Sequence, residues 1–402
     1  MYLEIPKKLK PLVEQARQVG EYAFRPIARK YDTAEHAYPK ELDVLGALLR
    51  GMSESGGTTG AGAGGLSDDK KDETRNRNGG NMATCLGMAE LCWGDVGLAL
   101  TIPGQGLGNA AISAVGNDEQ RKRLGGLWAA MAITEPEAGS DPSAVRTTAR
   151  LEGDEWVIEG EKIFVTCGER ADAVVVWATL DRSQGRAAIK SFVVEKGTPG
   201  MVVERLDKKL GIRASDTATV SFTECRIPKN NILGSAEIKP QRGLSGAKKT
   251  FDNTRPVVAA MALGVARASL ERTRKLLEAD GIQATTYAGT QLTVHAAEAE
   301  LYRMEADLEA ARLLTLKAAW MADNKIPNSV EASMSKAKAA RVGNAITLRC
   351  VELCGAAGYA ERELLEKWAR DSKILDIFEG TQQIQMLIIA RRLLEKRSNE
   401  LR

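Results

Sequence analysis

The pattern of apolar and polar positions divides the chain into three zones. In residues 1–125, apolar positions recur every three to four residues, for example over 9–32 and 82–100, which predicts helices. In residues 126–237, short runs rich in β-branched and aromatic residues end at Gly, Pro or Asp, which is typical of strands at hairpin-like spacing. No helix-length pattern separates these runs, so we expect a mainly antiparallel β-domain.

The helical period returns in residues 238–402. Four long amphipathic segments occur there, over 257–279, 292–324, 329–355 and 381–397. Four such segments with short breaks predict a helical bundle. The pattern therefore predicts an α+β chain of three domains: a helical N-terminal domain (1–125), a β middle domain (126–237) and a C-terminal four-helix bundle (238–402).

A Gly-rich, polar stretch covers residues 51–80 and predicts a long loop. Gly60, Gly62 and Gly65 within it satisfy the spacing GxGxxG. A dinucleotide-binding fingerprint requires a strand before this motif and a helix start after it. Neither flank has that pattern, so we interpret the glycines as part of the loop.

Composition and charge exclude several functional classes. The 402 residues include 56 basic and 53 acidic side chains, and a net charge of +3 does not indicate nucleic-acid binding. Two histidines and six cysteines without a CxxC pair argue against a metal site and against a His-dependent nucleophile, and favour buried cysteines. No apolar run reaches the length of a membrane span. Because the first residues resemble neither a signal nor a transit peptide, we expect a cytoplasmic bacterial protein or, as the alternative, a mature mitochondrial matrix protein.

Two stretches carry candidate chemistry. MAITEPEAGSDPSAVRTTA (131–149) offers hydroxyls and turn backbone N–H groups that could hold a phosphate or a flavin edge; an ordinary strand-to-loop turn is the alternative. ILDIFEGTQQIQ (374–385) places Glu379 before Gly380 in otherwise helical sequence. That carboxylate is either a solvated charge or a base in an apolar pocket.

Several motifs in order resemble the acyl-CoA dehydrogenase family over nearly the whole chain. They are TEPxAGSD, IEGEKIFVTCG (158–168), the segment 207–234, FDNTRPVVAA (251–260), which is similar to medium-chain members, and the segment 352–385. The resemblance implies a helical N-terminal domain, an antiparallel β-barrel-like middle domain and a C-terminal four-helix bundle. It also implies non-covalent FAD, a homotetramer, oxidation of an acyl-CoA thioester to trans-2-enoyl-CoA, and an electron-transfer flavoprotein as acceptor.

By this resemblance, Glu379 is the catalytic base that removes the α-proton while the β-hydrogen leaves as hydride to flavin N5. Burial beside Ile377 and Phe378 would raise the pKa of Glu379 towards working pH. The Gly380 N–H could bind the thioester oxygen. Thr254 occupies the position where some members carry their base and cannot act as one, and we interpret Asp376 as structural.

The resemblance also implies roles for further residues. The expected flavin-ring contacts are Met131, Ile133, Thr134, Gly139, Ser140, Phe164, Val165 and Thr166. Thr381 and Gln383 would contact the adenosine side of FAD, and Glu352, Gly355 and Ala356 the cofactor of a neighbouring subunit. Ser140, Asp252, Arg255 and Gly380 would contact substrate. Arg255 would either neutralise a CoA phosphate or hold its helix start by an ion pair.

The sequence also departs from the family pattern. The usual Arg-x-x-Phe-Gly and following glutamine, which contact the FAD of the adjacent subunit, are absent from 276–295, where Gln291 is a possible substitute. Glu352 and Ala356 replace a usual glutamine and glycine, and a carboxylate near FAD phosphates is unfavourable unless protonated, paired or turned away. One alternative is therefore a subunit of a heteromeric dehydrogenase, in a heterotetramer, that needs a partner to bind FAD. A non-catalytic binding relative is a further alternative, against which the intact Glu379 argues.

Overall fold

The structure is a computed structural model that describes residues 4–47, 79–104, 106–238, 245–282, 294–396 and 400. Nearly all of the predicted 51–80 loop, Gln291 and most of the region of the missing Arg-x-x-Phe-Gly lie outside these ranges. Gly80, the last residue of the predicted loop, instead begins a helix.

The N-terminal zone is helical, as predicted. Its α-helices are α1 (Lys10–Gln18), α2 (Ala28–Thr33), α3 (Gly80–Gly94), α4 (Val96–Ala99), α5 (Leu107–Val115) and α6 (Asp118–Leu124). The predicted helix over 82–100 breaks at Asp95, whose backbone is extended. The Asp95 carboxylate accepts the Leu98 N–H at 2.9 Å, which caps α4.

A curled seven-stranded sheet forms the middle zone. Its strands are β1 (Ala129–Ala132), β2 (Thr148–Glu152), β3 (Glu155–Thr166), β4 (Ala173–Thr179), β5 (Ile189–Glu195), β6 (Met201–Leu206) and β7 (Thr217–Pro228). The pairs β2–β3, β3–β7, β6–β7 and β4–β5 are antiparallel, which confirms the mainly antiparallel prediction. The pairings of β4 with β1 and with β2 are parallel. The pattern did not predict β1, β2 and β6, because they are short or largely exposed.

The C-terminal zone contains the predicted four-helix bundle. Its long helices are α7 (Ser245–Ala279), α8 (Ala296–Asp323), α9 (Ser329–Leu353) and α12 (Gln382–Leu393), with the short α10 (Gly355–Tyr359) and α11 (Leu365–Ser372) before α12. Helix α9 packs against α7, α8 and α12. The bundle and the N-terminal helices share one hydrophobic core. Helix α3 approaches α7 so closely that a Cβ at Gly264 would lie 2.2 Å from the Ala89 carbonyl oxygen.

A buried charge cluster joins the three zones. The Lys367 ammonium of α11 lies 2.5 Å from a carboxylate oxygen of Asp95 and 2.6 Å from one of Asp371. Asp371 also accepts the backbone N–H of Ile212, in the loop before β7, at 2.5 Å. All three charged side chains are buried. The cluster therefore fixes α4, α11 and the β6–β7 loop relative to one another.

The described residues add three observations to the composition. Five of the six cysteines are buried, Cys354 is partly buried, and all six are free thiols, which confirms their interpretation as small apolar side chains. No group of three or more potential metal ligands occurs among the residues that the structure describes. None of the helices in these ranges has the length and apolarity needed to cross a membrane.

Candidate active site

Glu379 lies in a left-handed turn between a 3-10 turn (Lys373–Asp376) and α12. Its φ is +57°, and that of Gly380 is +89°. A non-glycine residue in this region is strained by about 1–3 kcal/mol and persists only where the surroundings hold it. Thr381 then caps α12 by accepting the Ile384 N–H at 3.4 Å. The turn thus projects one carboxylate from the start of a bundle helix.

Side chains from two helices hold this turn through its carbonyl groups. Gln385 of α12 donates from Nε2 to the carbonyl oxygens of Glu379, at 3.2 Å, and Gly380, at 3.0 Å. Lys336 of α9 donates from Nζ to the Gly380 carbonyl at 2.8 Å. Glycine is favoured at position 380 because its φ of +89° strains other residues, and a Cβ there would also lie 2.5 Å from Gln385 Nε2.

The Glu379 carboxylate is partly buried and has one hydroxyl partner. Thr254 Oγ1 of α7 donates to Glu379 Oε2 at 3.0 Å. Burial raises the pKa of Glu379 above the ordinary carboxyl range, while Thr254 and the positive charges of Arg255 and Lys336 act in the opposite direction. A raised pKa brings the carboxylate closer to the range in which a base works near neutral pH.

Ile377 and Phe378, the two residues expected to bury Glu379, differ in their own burial. Phe378 packs against the main core, as expected, but Ile377 is 48% exposed. Adjacent side chains on a helical turn diverge by about 100°, so only one of them faces the core here. The expectation for Ile377 was wrong. Asp376 lies 3.4 Å from Lys373, an ion pair that agrees with its structural interpretation.

Arg255 and Asp252 form an ion pair in the N-terminal third of α7. Arg255 Nη1 donates to Asp252 Oδ1 at 2.8 Å, and Ser329 Oγ donates to the same oxygen at 3.1 Å. Arg255 is buried. The pair therefore lies within α7 rather than at the helix start, where the ion-pair alternative placed it, and it puts a positive charge near Glu379.

A second ion pair lies beneath the TEPEAGSD turn. Lys162 of β3 lies 2.7 Å from a carboxylate oxygen of Glu135, and both side chains are buried. Glu135 also accepts the Thr147 N–H at 2.9 Å and its hydroxyl at 2.6 Å. The Ile163 N–H donates to the Thr134 carbonyl at 2.9 Å. The turn is therefore fixed to β3 by Glu135 and Lys162, neither of which was predicted from the sequence as a site residue.

A β-bulge shapes the strand beside that turn. The register of β3 against β7 shifts between Lys162 and Val165. Within the bulge, Phe164 has φ +58° and a 62% exposed side chain, whereas Val165 is fully buried and Thr166 partly buried. Bulges re-aim side chains next to active sites. An exposed aromatic face next to a partly exposed hydroxyl fits a flat, polar-edged ring such as isoalloxazine.

Helix α7 connects the sheet side of the site with the Glu379 turn. Phe251, Met131 and Ile133 pack against one apolar cluster that contains Trp177. Three residues after Phe251, Thr254 bonds Glu379. Three residues rise only about 4.5 Å along a helix. Thus Met131 and Ile133 lie near the N-terminal third of α7, and Thr254 joins the same part of the helix to the Glu379–Gly380 turn.

The remaining predicted residues are exposed. Gly139, Ser140 and Gln383 are exposed, the last on the first turn of α12. Glu352, Gly355 and Ala356 are exposed at the α9–α10 junction, about 24 Å along α9 from Lys336. The Glu352 carboxylate pairs with Arg349 at 2.6 Å. This junction is therefore not part of the Glu379 site of the same chain.

Lys336 and Gln385 were not predicted from the sequence as site residues. A signal for Lys336 was present, because it lies on a helical stripe of small residues that the structure buries, namely Ala332, Ser333, Ala339 and Ala340. A lysine on such a stripe is a buried charge that needs a partner.

The structure joins a curled β-sheet with an exposed aromatic bulge to a helical bundle that holds one positioned carboxylate. Comparison with known proteins specifies the family. The family model "Acyl-CoA dehydrogenase, middle domain" matches residues 130–225, and "Acyl-CoA dehydrogenase, C-terminal domain" matches residues 241–394. The short-chain specific acyl-CoA dehydrogenase of Rattus norvegicus mitochondria is 34% identical over 407 residues, covering 98% of this chain and 91% of that protein. The chain belongs to the acyl-CoA dehydrogenase family, a group of oxidoreductases of fatty acid metabolism.

Solved structures agree with this assignment. Butyryl-CoA dehydrogenase from Megasphaera elsdenii has a TM-score of 0.84 and 29% identity, covering 98% of this chain and 100% of that one. A chain from a structure described as the electron transferring flavoprotein of Acidaminococcus fermentans has a TM-score of 0.83 and 30% identity, with 98% and 100% covered. The predicted family, fold, enzyme class and FAD cofactor are confirmed.

Proposed function

We propose that this protein oxidises a short-chain acyl-CoA to trans-2-enoyl-CoA, with Glu379 as the α-proton base and an electron-transfer flavoprotein as the electron acceptor. The observation that carries the proposal is the Glu379 carboxylate itself. It is partly buried, bonded by Thr254, and held on a left-handed turn by Gln385 and Lys336. This arrangement presents a single positioned base with a raised pKa.

The site residues and the cofactor have different roles in the proposed reaction. FAD, when bound, supplies the acceptor for the β-hydrogen. Glu379 accepts the α-proton, which is weakly acidic because it is next to a thioester carbonyl. In a trans peptide the C=O and N–H point in opposite directions. Because Gln385 binds the Glu379 carbonyl, the Gly380 N–H of the same peptide points away from Gln385, where it can donate to a thioester oxygen as negative charge develops.

The remaining residues have proposed binding roles. Met131, Ile133, Thr134, Gly139, Ser140 and the bulge residues Phe164 to Thr166 would contact the flavin ring, and Thr381 and Gln383 the adenosine side. Asp252 and Arg255 would lie along the CoA entry path with Ser140. The exposed junction of Glu352, Gly355 and Ala356 would serve the cofactor of a neighbouring subunit in a homotetramer.

A short acyl chain is supported by the relatives, one named as short-chain specific and one as a butyryl-CoA dehydrogenase. The medium-chain-like stretch FDNTRPVVAA is confined to α7. We expect kcat/KM for butyryl-CoA to exceed that for palmitoyl-CoA by at least about tenfold, since a pocket closed to extra methylenes discriminates by roughly this factor or more. Steady-state assays with butyryl-, octanoyl- and palmitoyl-CoA and an electron-transfer flavoprotein measure this. A higher value for octanoyl- or palmitoyl-CoA would contradict the short-chain assignment.

The Thr254→Val variant tests the environment of Glu379. The Thr254 hydroxyl lowers the pKa of Glu379, so its loss raises that pKa further. The base must be ionised to accept a proton, so kcat/KM is low below this pKa and rises as the pH increases through it. We therefore expect the acid limb of the pH profile of kcat/KM to move to higher pH, with a smaller loss of activity at alkaline pH. Ser269→Ala is the control, because it removes a buried hydroxyl of the same helix that donates to the Val265 carbonyl at 3.0 Å. If the acid limb lay at the same pH in Thr254→Val, in Ser269→Ala and in the wild type, the assignment of Glu379 as the titrating base would be contradicted.

A further inference from the structure

Lys336 is a fully buried lysine that the proposed chemistry does not use. It lies on the core-facing stripe of α9, and its ammonium donates to the Gly380 carbonyl at 2.8 Å. Burial lowers its pKa to about 8, against the attraction of Asp376 and Glu379. Burying an ammonium costs free energy unless it is paired and hydrogen-bonded. A neutral side chain could fill the same space, so the charge needs an explanation.

The partner that Lys336 binds is the backbone of the catalytic turn. Gln385 reaches the same carbonyl from α12, so two helices hold the peptide that follows Gly380. Gln385 also holds the peptide before it. Both peptide planes around Gly380 are thereby oriented, although Glu379 and Gly380 occupy left-handed conformations that other chain segments rarely adopt.

The charges around Glu379 come from three elements. Helix α7 contributes Arg255, paired with Asp252. The 3-10 turn contributes Asp376, paired with Lys373. Helix α9 contributes Lys336. Helix α12 contributes the neutral Gln385 next to the turn, and its arginines, Arg391 and Arg392, lie in its last turn. Without Lys336, Arg255 would be the remaining cation that lowers the pKa of Glu379.

We propose that Lys336 is a positioning residue for the dehydrogenation: its ammonium fixes the Glu379–Gly380 turn through the Gly380 carbonyl and supplies positive charge that favours the ionised Glu379 carboxylate. This inference rests on the proposed role of Glu379 as base. It predicts two separable effects of Lys336, one on the geometry of the turn and one on the ionisation of the base.

The test compares Lys336→Met and Lys336→Gln in the FAD-loaded enzyme. The Met variant removes both the donor and the charge, so we expect kcat to fall by about 10- to 100-fold, because small displacements of catalytic groups have effects of this size. KM should change far less. The acid limb of kcat/KM should move to higher pH, since loss of a nearby cation raises the pKa of a carboxylate. The Gln variant keeps a donor, so the same shift should come with a smaller loss of kcat.

Lys338→Met is the matched control, because Lys338 lies two residues further on α9 and pairs with Asp307 on the surface at 2.6 Å. It should leave kcat and the acid limb unchanged. A folded, FAD-containing Lys336→Met enzyme with the wild-type acid limb would overturn the inference. If Lys336→Met does not fold, Lys336→Gln is tested instead, and an acid limb at the wild-type pH in that variant would overturn the inference.

Glu379→Gln separates this inference from the proposed function. An active Glu379→Gln enzyme would refute Glu379 as the base, and the inference about Lys336 with it. An inactive Glu379→Gln enzyme, together with Lys336 variants whose acid limb equals that of the wild type, would refute only the role of Lys336.

Discussion

Replacing Glu379 with glutamine is expected to lower kcat by about 100- to 10,000-fold, the usual contribution of a positioned general base. Glutamine has the same size and can still accept the Thr254 hydroxyl bond through its amide oxygen. Its amide cannot take up the α-proton. The fold and the FAD content should therefore remain those of the wild type, and the loss should appear in the chemical step.

The measurement is the rate of substrate-dependent flavin reduction in a stopped-flow instrument, which observes that step without the electron acceptor. Glu309→Gln is a suitable control, because Glu309 is an exposed helix carboxylate paired with Arg312. A Glu379→Gln enzyme that reduces its flavin at a rate within a few-fold of the control would refute the assignment of the base.

Replacing Lys367 with methionine is expected to have the largest effect on stability. The substitution leaves the carboxylates of Asp95 and Asp371 buried without their shared cation. Removing one partner of a buried ion pair costs about 3–5 kcal/mol of the free energy of unfolding. Asp371 already has a raised pKa because of burial and the nearby Asp95, and Lys367 opposes that rise. The α4 cap at Asp95 and the contact to Ile212 should loosen together.

Urea unfolding of the wild type and of Lys367→Met at the same pH measures this loss of the free energy of unfolding. Lys30→Met provides the comparison, since Lys30 and Glu41 form an exposed ion pair that solvent screens, and its loss should change the stability little. A Lys367→Met protein as stable as Lys30→Met would show that the cluster does not hold the three zones together.

The sequence predicted those parts of the fold that depend on local periodicity. The four bundle helices were predicted because their apolar positions repeat at helical spacing. The break at Asp95 was not predicted; there Asp95 caps α4 with one carboxylate oxygen and binds Lys367, 272 residues away in the chain, with the other. The parallel pairing of β1 with β4 is likewise non-local, and the four residues of β1 carry too little pattern to predict a strand.

The candidate site shows the same division. The motif around Glu379 predicted a base, and its raised pKa agrees with that interpretation. Thr254 was excluded as a base, yet the structure gives it a different function as the hydroxyl partner of Glu379. Gln385 was missed because its partners are backbone carbonyls, which no side-chain motif encodes. For Lys336 the stripe of small residues indicated a buried charge, but nothing in the sequence indicated its carbonyl partner.

The alternative of a heteromeric subunit concerns cofactor retention rather than the base. The region that suggested this alternative, 276–295, lies mostly outside the described ranges. At the α9–α10 junction, Arg349 neutralises Glu352, which removes one reason for weak binding of FAD phosphates there. Retention of FAD by the protein purified alone separates a homotetramer from an assembly that needs a different partner chain.

The most direct test of the account is the visible spectrum of the protein purified alone, recorded before and after anaerobic addition of butyryl-CoA, for the wild type and for Glu379→Gln. We expect a bound-flavin spectrum in both proteins, bleached by butyryl-CoA in the wild type and unchanged in the variant on the same timescale. A wild-type flavin that butyryl-CoA and longer acyl-CoAs leave oxidised, or a variant that bleaches as fast as the wild type, would contradict the proposed dehydrogenation by Glu379.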